Sequence, residues 1–288
     1  MSTKIPVWFI YALITTIFWG IWGAIIEIPE KSGFPATLGY VVWAITMVPC
    51  ALVALKIINW KLETDIKSII LGSIIGIFGA GGQLLLFKAL EDGPAYIIFP
   101  VISLYPVLTI ALSLLLLKEK ANARQKLGIV IALLAIGLLS YQEKGDSAAT
   151  GFIWLILSIL VFTAWGLQAY FMKFSNQSMK AESIFFYMMI TGLLLTPVAL
   201  YMTDFSQEIN LRFSGPYLAF MIHILNAVGA LTLVYALRYG KAIIVVPLTG
   251  LSPVITIVLS LIIYGVFPSM ILGVGLILAV IAIFLLSD

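Results

Sequence analysis

Residues 93–106, GPAYIIFPVISLYP, and residues 240–253, GKAIIVVPLTGLSP, are one pattern written twice. Each opens on glycine, and each carries a proline pair of the same spacing, Pro100 with Pro106 and Pro247 with Pro253, the second pair 147 residues after the first. A proline in a helix interior removes a backbone donor and costs roughly 3 kcal/mol. A chain that makes this break twice, at matching places half its length apart in apolar sequence, reads as two copies of one unit with a shared weak point.

The surrounding composition places that unit in a membrane. The chain has 288 residues, is 62% hydrophobic and only 10% charged, and has a mean hydropathy of +1.14, more apolar surface than one soluble core could hide. Uncharged runs cover 5–26, 33–55, 68–87, 93–117, 127–142, 147–172, 183–203, 213–237 and 242–287. A helix needs about 20 residues to cross the hydrocarbon, so the last run is expected to hold two helices hinged near Gly265 and Pro268, which makes ten segments. The connecting loops leave no room for a soluble catalytic domain, and no Gly-rich phosphate loop ending in Lys-Ser/Thr is present, so the protein is not its own ATPase. One lysine followed by a full-length span, without a small-residue cleavage site, reads as the first helix and not as a removed signal peptide. The single Cys50 lies within the second segment and cannot form an intramolecular disulfide.

Charge orients the segments. With the N-terminus inside, only Lys31, Lys88, Lys144 and Arg212 fall outside, so twelve of the sixteen Lys and Arg residues are cytoplasmic. This selects an orientation with both termini inside the cytoplasmic membrane, and it accounts for the cluster Lys118 to Lys126 without a nucleic-acid partner.

The duplication extends beyond the prolines. Phe18-Trp19-Gly20 returns as Ala164-Trp165-Gly166, Pro49-Cys50-Ala51-Leu52 as Pro197-Val198-Ala199-Leu200, and Ala89-Leu90 with Gly93 and Ala95 as Ala236-Leu237 with Gly240 and Ala242. The fifth segment of each half opens on Leu-Gly, at Leu127-Gly128 and Leu272-Gly273. Five segments per copy is an odd number, so the second copy enters the membrane from the opposite side. Charges at matched positions change sign accordingly: Glu27 answers to Lys173 and Glu91 to Arg238. The expected fold is an all-α polytopic membrane protein of ten transmembrane helices, two inverted five-helix repeats spanning 1–145 and 146–288.

The ordered Trp-Gly pairs, the prolines of segments 4 and 9, and Lys118-Glu119-Lys120 leading to Leu127-Gly128 resemble the drug/metabolite transporter superfamily, EamA branch, over essentially the whole chain. The sequence departs from that pattern at one place: the acidic residue after the fourth segment is present as Glu119, but Tyr264-Gly265-Val266-Phe267-Pro268 stands after the ninth without one. Glu119 therefore reads as a helix-terminus feature of one half, with no role in a transport cycle. The resemblance implies a central cavity lined by segments 1, 3, 4, 6, 8 and 9.

The prolines and in-span polar groups point to the same segments. At 1.5 Å per residue, Pro106 and Pro253 lie roughly 15–18 Å from the ends of their helices, near the bilayer midplane. Each proline frees the carbonyl four residues back, Ile102 and Thr249, and irregular backbone at that depth is tolerated only against protein or a water-lined cavity. The four prolines read first as gate hinges, with ligand contact as the alternative. Polar groups inside the spans are few: Gln83, Gln168, His223 and Asn226. His223 and Asn226, three apart, share one helix face; interhelical hydrogen bonding is the competing explanation for them and for Gln168. His223, the only histidine, is a candidate for proton coupling or for a neutral role beside substrate. Trp19 and Trp22 are three apart, and Trp165 matches Trp19 while Gln168 matches Trp22, so an aromatic wall faces an amide. Tyr96, Tyr105 and Tyr235 could add hydroxyls. Glycines 72, 76, 79, 81 and 82 read as close-packing residues.

These residues suit a small organic molecule with one flat or apolar part and a few hydrogen-bonding groups. The expected function is a secondary transporter of a small polar organic metabolite, an amino acid, sugar or related compound, by alternating access, repeat one rocking against repeat two. Scarce buried charge argues against a nucleotide. A passive channel is the alternative. An intramembrane enzyme lacks its inventory, since one His, one Cys and no His-Glu-x-x-His leave no nucleophile-base pair or metal cluster. No cofactor or metal is expected, the partners are substrate and the lipid bilayer, and monomer and homodimer both stay open.

Overall fold

The computed structural model describes residues 5–141, 151–264 and 269–287, with the side chains of residues 95, 96, 261 and 264 excepted, and these residues form helices and turns without a strand. In chain order the helices are α1 (Val7–Lys31), α2 (Ala36–Ile57), α3 (Ile66–Asp92), α4 (Ala95–Ser103 and Tyr105–Leu115), α5 (Ala123–Leu139), α6 (Ile153–Ser175), α7 (Ala181–Tyr201), α8 (Phe213–Tyr239), α9 (Ala242–Thr249 and Pro253–Tyr264) and α10 (Met270–Leu286). Among the described residues eight are long and apolar enough to cross a bilayer; α5 and α10 have 17 residues each. The hinge expected at Gly265 and Pro268 and the repeat junction at 145/146 lie outside the described residues.

Local sequence sets the ends. The Asp65 carboxylate accepts from Ser68 N at 3.1 Å and Ser68 Oγ at 2.6 Å, capping α3. Asn122 and Gln125 form a reciprocal capping box on α5, and Ser269 caps α10. Gly33, with φ +90°, turns the chain from α1 into α2 where a Cβ would be strained.

The two helices that carry the proline pairs are interrupted. In α4 the break falls at Leu104, between Ala95–Ser103 and Tyr105–Leu115; in α9 it spans Gly250 to Ser252, between Ala242–Thr249 and Pro253–Tyr264. The breaks lie just ahead of Pro106 and Pro253, which begin the second halves, whereas Pro100 and Pro247 sit inside the first halves. Ser252 N donates back to Thr249 O at 3.2 Å, so the carbonyl that Pro253 frees is taken up within the turn. Other irregularities are a π-helical turn at Ile77–Gly81 inside α3, a second at Phe213–Tyr217 at the start of α8, and a break at Leu195 in α7, just ahead of Pro197.

Packing crosses between the repeats. Helix α1 packs on α8 and on both halves of α9, while α6 packs on α3 and on both halves of α4. The Trp-Gly motifs explain these joints. Trp19 lies over Gly229 and Trp165 over Gly82, where an added Cβ would come 2.5 and 2.6 Å from the indole. Trp19 Nε1 donates to Asn226 O at 3.2 Å and Trp165 Nε1 to Gly79 O at 3.4 Å. The following glycine admits the broken helix: Ile255 of α9 closes on Gly20 and Leu108 of α4 on Gly166. Thr256 Oγ1 then donates to Gly20 O and Thr109 Oγ1 to Gly166 O, both at 2.9 Å. Every partner in one joint has its counterpart in the other, 146 residues away for the Trp-Gly pair and 147 for the residues that meet it. Between helices in lipid there is little hydrophobic drive, so close contact over small residues and such hydrogen bonds hold the joints.

Helix α7 also packs on α3 and α8 on α2, and two further pairs join equivalent helices. Leu285 and Leu286 at the end of α10 meet Gly128 at the start of α5, and Leu138 and Leu139 at the end of α5 meet Gly275 in α10, so these two run antiparallel. Helices α2 and α7 do the same, through Thr37 with Thr203 at 2.8 Å and Tyr40 Oη with Gly192 O at 3.1 Å. One end of the bundle gathers the α2–α3, α4–α5, α6–α7 and α8–α9 turns and most of the lysines, and is called the basic end below.

Candidate functional site

Asn226 and His223, one helical turn apart on α8, collect three indoles from the first repeat. Trp22 Nε1 donates to His223 Nδ1 at 3.2 Å, Trp43 Nε1 donates to Asn226 Oδ1 at 2.8 Å, and Trp19 Nε1 is held by the Asn226 carbonyl. An indole N–H only donates, so all three rings present their faces with no donor to spare. His223 is buried and uses its Nδ1 lone pair on Trp22, which a doubly protonated ring would lack; its other nitrogen points at Gly39 of α2, where an added Cβ would come 3.4 Å from Nε2. Asn226, half-buried, spends its side-chain oxygen on Trp43, and its amide NH2 has no partner among the described residues.

The equivalent place in the other half is built differently. Gln168, matching Trp22, packs on Gly79 of the α3 π-turn, and Tyr105 meets Trp165 edge to face at 6.2 Å between centroids. Gly76 and Gly79 stand where α8 has His223 and Asn226, and they let α3 close on Thr191 of α7 and on Gln168. Gln83 is half-buried on α3, and neither its amide nor that of Gln168 has a hydrogen-bond partner among the described residues. The five glycines of α3 thus divide: Gly72, Gly76, Gly79 and Gly82 are close-packing positions, and Gly81 has open space around it.

One residue named from the sequence stands elsewhere. Tyr235 stacks on Tyr11 at 5.0 Å toward the basic end and donates to Glu182 Oε1 at 2.6 Å, more than two turns from Asn226. The Tyr96 side chain lies outside the described residues. Sequence reasoning passed over Trp43, Gly39, Glu182 and the π-turn. Trp43 carried a signal: it is a tryptophan in mid-span, far from either interfacial belt. Two surface concavities at the end opposite the basic one, lined by Ser32, Asn210 and Arg212 and by Thr37, Phe87 and Met202, hold none of the polar and aromatic residues above. No group of His, Cys, Asp and Glu suited to a metal ion occurs among the described residues.

Comparison with known proteins bears on this arrangement. The profile of the EamA-like transporter family matches residues 6–141 and again residues 152–288. The chain belongs to the EamA-like transporter family. This EamA protein thus carries two copies of the family unit, and the family's members are membrane transporters of small solutes. It is 35% identical over 135 residues to the uncharacterized protein MJ1333.1 of Methanocaldococcus jannaschii, covering 46% of this chain and 96% of that one, a relative about the length of one repeat. It is 24% identical to Protein LicB of Haemophilus influenzae over 70% of each chain. A crystal structure shares the fold with a TM-score of 0.80, at 14% identity, over 98% of this chain and 96% of the other.

Proposed function

We propose that this EamA protein is a secondary transporter of the cytoplasmic membrane that moves a small polar organic metabolite, an amino acid, sugar or related compound, by alternating access. The reading takes the ten helices as spans in two inverted sets that meet near residues 145/146, both termini cytoplasmic. The antiparallel run of α5 with α10 and of α2 with α7 favours that inversion.

The observation that carries the proposal is the pair of interrupted helices, α4 and α9, each seated on the Trp-Gly motif of the other repeat, with an unlike set of polar and aromatic groups beside each joint. Equal joints give two equivalent ways to bend; unequal linings give one substrate a place to be recognised. In this reading the faces of Trp19, Trp22, Trp43 and Trp165 receive the flat or apolar part, and the amides of Asn226, Gln168 and Gln83 and the Tyr105 hydroxyl receive the polar groups. Pro106 and Pro253 act as hinges. His223 holds Trp22 and does not carry the coupling proton, because its Nδ1 lone pair is committed to the indole.

The cross-repeat packing changes which bodies move. Rocking repeat one against repeat two would pull α1 from α8 and α6 from α3, the joints just described. The packing supports instead one body of α1, α8 and α9 moving against a second of α6, α3 and α4.

A thermal-shift screen over metabolite classes, followed by flux into proteoliposomes, tests the function. Saturable flux accelerated by substrate on the far side is expected; flux without trans-acceleration would make the protein a pore, and no flux of any stabilising compound by folded protein would sink the proposal.

A further inference from the structure

We infer that Glu119, with Lys173 behind it, is the latch that holds the basic end of this transporter shut. The inference rests on the alternating-access reading above. Glu119 follows α4, and the chain reaches it through Lys118 in the left-handed region, φ +53°, uncommon for a residue with a side chain. Glu119 N then returns to Ser113 O at 3.1 Å, which fixes the direction of the side chain. Its carboxylate crosses to the other repeat and accepts from the first two amides of α9, Ala242 N to Oε1 and Ile243 N to Oε2, both at 3.1 Å. A carboxylate on the positive end of a helix makes charge-assisted bonds there and satisfies donors that have no partner within the helix.

Lys173 completes the device. Its Nζ lies 3.9 Å from Glu119 Oε1 and donates to Leu237 O at 2.9 Å and Gly240 O at 2.6 Å, the carbonyls that close α8. The end of α4, the end of α6 and the α8–α9 turn are thereby tied at one point, across the two bodies expected to move. The basic half of α9, Ala242–Thr249, is buried along its whole length and packs on Tyr105–Leu115 of α4. The other halves go separate ways, Ala95–Ser103 onto α6 and Pro253–Tyr264 onto α1.

The repeat shows that the latch exists at one end only. Glu27 stands where Lys173 would be needed, and it cannot donate to the carbonyls of Leu90 and Gly93, the counterparts of Leu237 and Gly240. The sequence following α9, residues 264–268, has no acidic residue to answer Glu119. A molecule whose two joints are matched but whose latch is not therefore rests with its basic end closed. The departure from the family pattern, taken in the sequence as a mere helix-terminus feature, is what biases the cycle.

The test needs no substrate. In full-length protein with Cys50→Ser, a single Ser103→Cys reporter beside the α4 break is exposed to a membrane-impermeant maleimide in right-side-out and inside-out vesicles, and its labelling rate from each side is compared with and without Glu119. Lys67→Cys and Ser206→Cys, exposed at the two ends, report separately which side each end faces. With Glu119 intact the reporter is expected to stay unlabelled from the basic end. Glu119→Ala should raise basic-end labelling about 10-fold, a shift of about 1.4 kcal/mol. Glu119→Gln, which keeps one acceptor, should fall between, and supplies the answer if the alanine variant does not fold. Basic-end labelling of the parent, or no rise in either variant, overturns the latch. Reversed labelling of Lys67→Cys and Ser206→Cys would refute the assigned orientation while leaving the latch comparison readable.

Discussion

The joint between α1 and α8 and the joint between α6 and α3 are built from the same parts in the same order: a tryptophan over a glycine, an indole N–H on a backbone carbonyl, and a glycine that admits a broken helix. They differ one helical turn away. Where the first has Trp22, His223, Asn226 and Trp43, the second has Gln168, Gly76, Gly79 and Thr191. What is repeated is scaffold, because both halves face the same packing problem. What is not repeated is chemistry, as the proposed recognition of one asymmetric solute would require.

The comparison can be broken most forcefully at the shared glycines. Gly20→Ala should destabilise the protein by about 2–3 kcal/mol, because the new methyl meets Ile255 and the rigid Ser252 carbonyl, and Gly166→Ala should cost a similar or slightly smaller amount. Thermal unfolding in detergent checks both, and a large effect in one joint alone would deny their equivalence. Next in size is Asn226→Ala, which removes an unpaired donor and strands the Trp43 indole. Loss of a substrate's stabilising shift by about tenfold in affinity is expected there, while Gly79→Ala on the matching side meets only the far end of the Gln168 side chain, which can swing aside, and should leave thermal stability nearly unchanged. A smaller, sharper test is Trp22→Phe, which keeps an aromatic face but frees His223; a weakening of about 3-fold is expected in titrations of the same ligand, short of one hydrogen bond's full value. Smallest is the pair Asn122→Ala and Ser269→Ala at the starts of α5 and α10. Each removes a helix cap worth about 0.5 kcal/mol, read as a small drop in thermal unfolding, with Asn122 the costlier because it anchors a reciprocal box.

The family and the order of the helices were legible in the sequence because they rest on periodic, local signals: uncharged runs, paired prolines and Trp-Gly dipeptides. The glycines of α3 were read as packing positions, and four of the five are. The site was only half legible. Asn226, His223 and Trp22 announced themselves as polar or aromatic groups in apolar runs, but the choice of cavity helices left out α2, and with it Trp43. The tie between Tyr235 and Glu182 joins residues 53 apart, so no local pattern could forecast it. The swap of helices between repeats was equally hidden: Trp19 carries no mark that its glycine lies at position 229.

That last distance has a consequence for how the chain is made. The ribosome must add 210 residues between Trp19 and Gly229, a wait of roughly 10–40 s at ~5–20 residues per second. Through that interval the emerging first half has helices in the bilayer but no core of its own, its indoles resting on lipid or on whatever escorts membrane insertion. The helices of the first half pack mainly on the second, so a nascent chain halted after α5 should offer proteases a set of unmated helices, not a smaller version of the finished protein.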